Sequence, residues 1–290
     1  MKIMLSLLLV ALSFLNAQKI LVINSNSQID RYHQVEDAFK TSFTQPATYV
    51  DISQMDEKEI RNYLYDFYPD IVYTIGTKAY QYAYKYIPEK KIFFSSIVNY
   101  ERLSSTKRYF GVSNELHSGM QLTLIKSFFP TIKDLTVIYS DYTQDILEHY
   151  NEEAKVLGIT LTTQKISSPE MIDKAKLAQS DGLLLIADPI LIKDEAKVKE
   201  IFKYMKQKRK PIFAYHELFI AHGATLVISI DANTIGRQIA SMIHSFSSDN
   251  AFTPIQVPVG TTVIFNQRVA NQLSRAYVPA ALGVATKVVK

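Results

Sequence analysis

The sequence predicts an α/β fold of two doubly wound, Rossmann-like lobes with a ligand cleft between them. Three observations carry this. The stretch from Asp70 to Asn99, DIVYTIGTKAYQYAYKYIPEKKIFFSSIVN, reads as one βαβ unit: a strand run Ile71 to Ile75, a Gly76-Thr77 turn, a helical segment, and a second run Lys91 to Phe94. Its apolar strands show no polar alternation, so they read as buried on both faces, as a parallel sheet requires. The pattern then recurs in two series of similar size, one before about Ser113 and one after, with no long flexible linker between them.

Taken in order, residues 1–17 stand outside the fold. Lys2 is a short positive region, Ile3 to Leu15 an almost unbroken apolar core, and Asn16-Ala17 ends it with a small residue. This predicts a secretory signal cleaved after Ala17 rather than a membrane span, because the apolar run is too short. No cysteine follows, so a lipoprotein anchor is not expected, and the mature protein is assigned to a Gram-negative periplasm.

Lys19 to Ile23 is the first predicted strand, ending at Asn24-Ser25-Asn26-Ser27. Asp30 to Thr41 places Val35, Ala38 and Phe39 at helical spacing, Thr48 to Ile52 is a second strand, and Glu57 to Phe67 is a helix with an Ile60, Tyr63, Leu64, Phe67 stripe. In the next helix Tyr80 pairs with Tyr84 and Tyr82 with Tyr86. A spacing of two does not line one helix face, so these tyrosines read as packing and solvent boundary. Phe110 to Ser113 is a strand and His117 to Phe129 a helix closed by Pro130.

The second series begins with a strand at Leu135 to Tyr139, a helix at Asp145 to Leu157 ended by Gly158, and a strand at Ile159 to Gln164. Pro169 to Ala178 is predicted as one helix with proline at its start. Gly182 to Ile186 is a buried strand ending at Ala187-Asp188-Pro189, followed by a helix at Asp194 to Lys206, a strand at Pro211 to Ala214 and a short helix at Glu217 to His222. Leu226 to Ile230 is a strand, Asp231 or Asn233 can cap the helix reaching Phe246, Val257 to Phe265 is extended, and Asn266 to Ser274 is the last helix.

Without its signal the chain keeps 31 Lys and Arg against 28 acids, a net charge of +3 that is too mild to point to a nucleic acid. The densest basic run, KYMKQKRK from Lys203 to Lys210, reads as a solvated helix end where cations suit the dipole. Cysteine is absent, which excludes disulfides and thiolate metal sites.

No enzyme motif emerges. Gly76 lacks the neighbours of a dinucleotide or phosphate loop, GVSNE lacks the closing glycine of a serine elbow, and His216-Glu217 with His222 miss the zinc-protease spacing. Neither cofactor nor metal is expected, and the chain is expected to act as a monomer without catalysis.

The segments DIVYTIGTKAY, KIFFSSIVN, FGVSNELHSGMQLTLIKSFFP, DLTVIYSD, DGLLLIADPIL, KPIFAYHELFIAHGATLVISIDANTIGRQIASMI and VPVGTTVIFN occur in this order. Together they resemble the substrate-binding proteins of ABC transporters that serve tryptophan- and tyrosine-type uptake, across nearly the whole mature chain. The resemblance implies a type I periplasmic binding protein architecture, with crossovers at Ser113-Asn114, Ile230-Asp231 and near Pro258 to Thr261. The lobes would then be 18–113 with 231–259, and 114–230 with 260–290. The chain departs from relatives in carrying Gly76-Thr77-Lys78-Ala79 for Gly-Thr-Pro-Ala, Ser95-Ser96 for a small apolar pair, and His216-Glu217 for Asp or Ser with Glu.

In an open parallel sheet, ligands bind beyond the carboxyl ends of the strands. The strand ends therefore supply the candidate ligand residues: Asn24, Ser25, Gly76, Thr77, Ser95, Ser96 and Asn99 in the first series, and Tyr139, Asp188, Tyr215 and Asp231 in the second. Thr77 and Ser96 offer hydroxyls, and the helix start at Thr77 offers N–H groups and a positive dipole to a carboxylate. Asp188 is expected to accept from an amine, and Tyr139 or Tyr215 to cover an apolar part. An amino acid or related carboxylate, captured by hinge closure and passed to an ABC permease, fits this set. A ligand sensor signalling to a membrane receptor kinase or cyclase is the alternative reading, and an exported hydrolase is disfavoured by the missing nucleophile motif.

Overall fold

The computed structural model describes residues 18–103 and 109–290, with the side chain of Tyr109 excepted. The predicted signal segment lies outside the described residues.

The elements run β1 (Ile20–Asn24), α1 (Asp30–Ser42), β2 (Ala47–Asp51), α2 (Glu57–Phe67), β3 (Ile71–Ile75), α3 (Thr77–Tyr86), β4 (Lys91–Ser95), β5 (Tyr109–Val112), α4 (Ser118–Phe128), β6 (Asp134–Tyr139), α5 (Gln144–Val156) and β7 (Thr160–Lys165). They continue as α6 (Lys174–Gln179), β8 (Gly182–Leu184), α7 (Pro189–Ile192), α8 (Glu195–Gln207), β9 (Ile212–Ala214), α9 (Leu218–His222), β10 (Leu226–Ile230), α10 (Ala232–Ser247), β11 (Ile255–Gln256), β12 (Thr261–Asn266), α11 (Gln267–Gln272) and β13 (Lys287–Val289). Among the described residues no helix is long and apolar enough to cross a membrane.

The chain divides into two compact units. The first holds the described residues up to Ser113 with Ala232–Gln256, the second Asn114–Asp231 with Val257–Lys290. Asp231 and residues 257–259 thus fall in the second unit rather than the first. For Asp231 the backbone explains it: its N–H donates to the Gly260 carbonyl at 3.0 Å, extending the antiparallel β10–β12 ladder past its last paired residues.

In the first unit the sheet order is β11-β5-β4-β3-β1-β2, with every pair parallel. The strand order reverses at β1/β3, and both strands are buried along their whole length. On one face Leu21, Ile23, Val72 and Phe94 pack on Ile60 and Leu64 of α2 and Ala79, Tyr80 and Ala83 of α3. The alternate residues face the other way: Tyr73 lies 4.8 Å from Phe39 of α1, and Phe93 lies 5.8 Å from Phe246 of α10, centroid to centroid. Asp56 and Glu59 form a reciprocal capping box at the start of α2, satisfying two donors the helix cannot satisfy itself. The tyrosines of α3 separate into two stacked pairs, Tyr80 with Tyr84 at 6.0 Å and Tyr82 with Tyr86 at 6.2 Å.

In the second unit the order is β13-β12-β10-β9-β8-β6-β7, parallel except where β12 runs against β10. Here the order reverses at β6/β8. Leu135, Val137, Leu184 and Phe213 pack on Leu122 and Ile125 of α4 and Leu147 and Tyr150 of α5. Ile138, Leu183, Ile212 and Val227 pack on Leu177 of α6 and Val198, Ile201, Phe202 and Met205 of α8.

One predicted helix is broken. Instead of a single helix over 169–178 there is a 3₁₀ turn, Pro169–Met171, then α6. Gln164 of β7 is the cause: its side chain donates to the Asp173 carbonyl at 3.1 Å and accepts the Asp173 N–H at 2.9 Å, holding that residue extended. Asp173 then restarts the helix by accepting the Ala175 N–H at 2.8 Å. The short α7 after Asp188-Pro189 and the C-terminal β13 are elements that sequence periodicity did not predict.

Candidate functional site

In each unit the candidate residues lie at the carboxyl ends of strands, some of them where the strand order reverses, and in each unit a side chain from one strand end is spent on its neighbour. In the first unit the turn after β3 begins at Gly76, whose φ of +88° favours glycine. A Cβ there would lie 2.8 Å from Ser25 Oγ and 2.9 Å from the Tyr32 ring, so glycine is also required by space. Gly76 has no side chain with which to cap α3. Ser25, reaching across from the end of β1, does this instead by accepting the Ala79 N–H at 2.9 Å. The N–H groups of Thr77 and Lys78 belong to the first-turn donors that a helix cannot satisfy internally. Thr77 itself is exposed.

Asn24 and Ser95 are otherwise engaged. Asn24 is fully buried; its amide donates to Glu36 Oε2 at 2.6 Å and its Oδ1 accepts the Asn26 N–H at 3.0 Å, so it shapes the turn after β1. The Ser95 hydroxyl is paired with Tyr73 OH at 2.7 Å inside the sheet, while its carbonyl accepts the Gly76 N–H at 2.9 Å. Neither side chain is free to meet a ligand, which corrects the expectation for both.

Ser96 differs. It is 4% exposed, sits in left-handed backbone at φ +60°, and its Oγ has no hydrogen-bond partner among the described residues. Asn99, φ +52°, opens the 3₁₀ turn Tyr100–Arg102 in the same loop. Two non-glycine residues in left-handed backbone within four positions mark a loop held in shape by its surroundings.

Sequence reasoning missed two neighbours. Tyr32 covers Gly76, and burial raises its hydroxyl pKa above the usual phenol value against an opposing pull from Arg31. Asp51, at the end of β2, accepts the Ser27 and Ser53 N–H groups, each at 2.6 Å. Burial pushes this carboxyl up, but hydrogen bonds from the side chains and backbones of Ser27 and Ser53 outweigh it and hold it at about 2. The only sequence signal for either was the density of Ser, Asn and Asp near strand ends.

In the second unit Asp188 takes the part Ser25 plays in the first, with much higher commitment. It is fully buried. Oδ2 accepts the Ser140 N–H at 2.8 Å, the Ser140 hydroxyl at 2.7 Å and the Thr143 hydroxyl at 2.6 Å. Oδ1 accepts the Ile190 and Leu191 N–H groups at 2.9 and 3.3 Å, capping α7. A carboxylate offers about four lone-pair positions, and five donors already converge on it. The expected acceptor for a ligand amine is therefore corrected: Asp188 locks the loop after β6 to the turn after β8. Ser140 and Thr143, which the sequence reading passed over, are its partners.

Tyr139 is partly buried against the Leu135–Leu147 cluster. Tyr215 packs edge-on to Phe219 at 5.3 Å, against the Phe202 cluster. Asp231 is half-buried, its N–H in the ladder described above. His216 Nδ1 accepts the Leu218 N–H at 3.2 Å, a cap at the start of α9.

A family model described as "ABC transporter substrate binding protein" matches residues 29–289. Among solved structures, an ABC domain in complex with L-Trp from Streptococcus pneumonia is 18% identical with a TM-score of 0.65, covering 93% of this chain and 100% of that one. A ligand-free, open substrate binding protein with adhesive properties from Clostridium difficile is 15% identical with a TM-score of 0.74, covering 94% and 99%. A conserved domain protein from Vibrio cholerae is 18% identical with a TM-score of 0.66, covering 94% and 100%. At these identities the structures establish the fold, the two-lobed type I periplasmic binding protein architecture. No protein of curated function matches in sequence. The family match spans most of the chain and reaches into both doubly wound units, so the chain belongs to the ABC transporter substrate-binding proteins and has a solute-binding role.

Proposed function

We propose that this protein captures a small amino-acid-like or related carboxylate, closes on it by hinge motion, and delivers it to an ABC permease from the periplasm. Ser25, Gly76, Thr77, Ser96 and Asn99 of the first unit are the residues that meet the carboxylate. Asp231 and the rings of Tyr139 and Tyr215 are the contributions of the second.

The observation that carries this reading is Ser96. A buried hydroxyl without a partner costs about 1–3 kcal/mol, and left-handed backbone at a non-glycine residue adds a cost of order 1 kcal/mol or more. A fold keeps such a residue where a ligand completes it. The next strand end supplies the Thr77 hydroxyl and the open first-turn N–H groups of α3, and these donors favour an anion. The complex of one structural relative with L-Trp supports the amino-acid class.

A thermal-denaturation panel of amino acids, purines, vitamins and organic acids tests the ligand class. A solute at a hundredfold excess over its dissociation constant adds about 2.7 kcal/mol, a shift of several degrees in a chain of this size. The shifts should fall among amino acids or close carboxylates, and scattering at saturation should give a smaller radius of gyration. A panel in which only uncharged solutes shift the melt overturns the carboxylate, and an unchanged scattering profile overturns closure.

A further inference from the structure

The basic run from Lys203 to Lys210 does more than end a helix. Two of its lysines, Lys206 and Lys210, line a pocket of about 270 Å³ together with His222 and Arg268. The apolar floor includes Phe202 and Ile212, and no carboxylate lines the pocket. It lies within the second unit, at the amino end of β9, whereas the proposed solute residues lie at strand carboxyl ends.

The helix dipole accounts for Lys206, in the last turn of α8. It does not account for Lys210, which lies beyond the helix. It opposes Arg268, in the first turn of α11, where the helix end is itself positive. Glu195, whose charge interacts with His222, is itself paired with Lys199 at 2.6 Å. His222 is held edge-on to Phe202 with ring centroids 5.9 Å apart. Two lysines, an arginine and an imidazole therefore line one small concavity with no carboxylate on its walls.

We propose that this pocket is a second binding site, for a small doubly charged oxyanion of the phosphoryl type, separate from the solute site. Arg268 supplies a planar fork suited to two oxygens, and the lysines supply point charges. The volume, near the lower end for ligand pockets, fits a free phosphate or a phosphate-bearing headgroup.

The test is a calorimetric titration of the whole protein with inorganic phosphate, against chloride at matched ionic strength, alongside sedimentation with phosphatidylglycerol or phosphatidylcholine vesicles. Phosphate should bind, and should raise the melting temperature by roughly two degrees or more at saturation. The Lys210→Gln/Arg268→Gln double variant should lose at least about tenfold in affinity. Lys203→Gln/Lys208→Gln, on the same run but outside the pocket, should bind as wild type. Pocket-dependent binding to phosphatidylglycerol vesicles without a response to free phosphate would assign the site to a lipid headgroup. The proposal fails if neither phosphate nor anionic vesicles distinguish the pocket double variant from wild type. Far-ultraviolet circular dichroism confirms that both double variants are folded, as expected for polar substitutions at pocket rims and surfaces.

Discussion

Asp188→Ala should lower the unfolding free energy by about 3–5 kcal/mol. Five hydrogen bonds end on this buried carboxylate. Hydrogen bonds to charged groups contribute about 1.5–3 kcal/mol each, and loss of a helix cap costs about 0.5–2 kcal/mol. The full sum is not lost, because the Ser140 and Thr143 hydroxyls can rotate toward other acceptors. The Ser140 N–H keeps the Thr143 hydroxyl oxygen as a second acceptor at 3.2 Å. Asp188→Asn should also destabilise, since an amide brings its own donors against three donors on Oδ2. Urea denaturation measures both. A variant that unfolds like wild type but loses solute affinity would return Asp188 to the ligand and overturn its structural assignment.

Gly236→Ala should cost about 2 kcal/mol, and Gly236→Val more. Gly236 lies on α10 where it crosses α1, and an added Cβ would overlap the Val35 carbonyl oxygen and sit 2.7 Å from the Phe39 nitrogen. Both are backbone atoms, so relief requires the two helices to part. Alanine would otherwise gain about 1 kcal/mol over glycine in a helix, while overpacking costs typically 1–3 kcal/mol and occasionally more. The sign of the alanine effect is thus the discriminating readout in thermal or chemical denaturation: a neutral or stabilised Gly236→Ala protein would contradict this close helix crossing.

The strands and most helices of both units were legible because their signals are local. Strand runs such as Ile71–Ile75 read as buried on both faces, and stripes such as Ile60, Tyr63, Leu64 and Phe67 mark helix faces. The break at Asp173 was not legible, because it depends on Gln164 on a neighbouring strand. The same limit applies at the strand ends. Ser, Asn and Asp were expected there, but the sequence does not say which of them face outward. Asn24 is consumed by Glu36, Ser95 by Tyr73 and Asp188 by Ser140 and Thr143, all over separations that only the fold brings together. Ser96 is distinguished from Ser95 by its left-handed backbone, which composition does not encode.

The most direct test of the carboxylate site is a calorimetric titration with the amino acid that gives the largest thermal shift, and with its carboxamide. It should be run on wild type, Thr77→Val and Ser96→Ala. The amide should bind at least about tenfold more weakly than the acid to wild type. Each substitution should weaken the acid by about tenfold to a hundredfold, the value of one buried hydrogen bond to a charged group. Ligand-free Ser96→Ala should melt no earlier than wild type, because it removes a buried hydroxyl that has no hydrogen-bond partner among the described residues. Equal affinity for acid and amide, or two variants that bind as wild type does, would contradict the account.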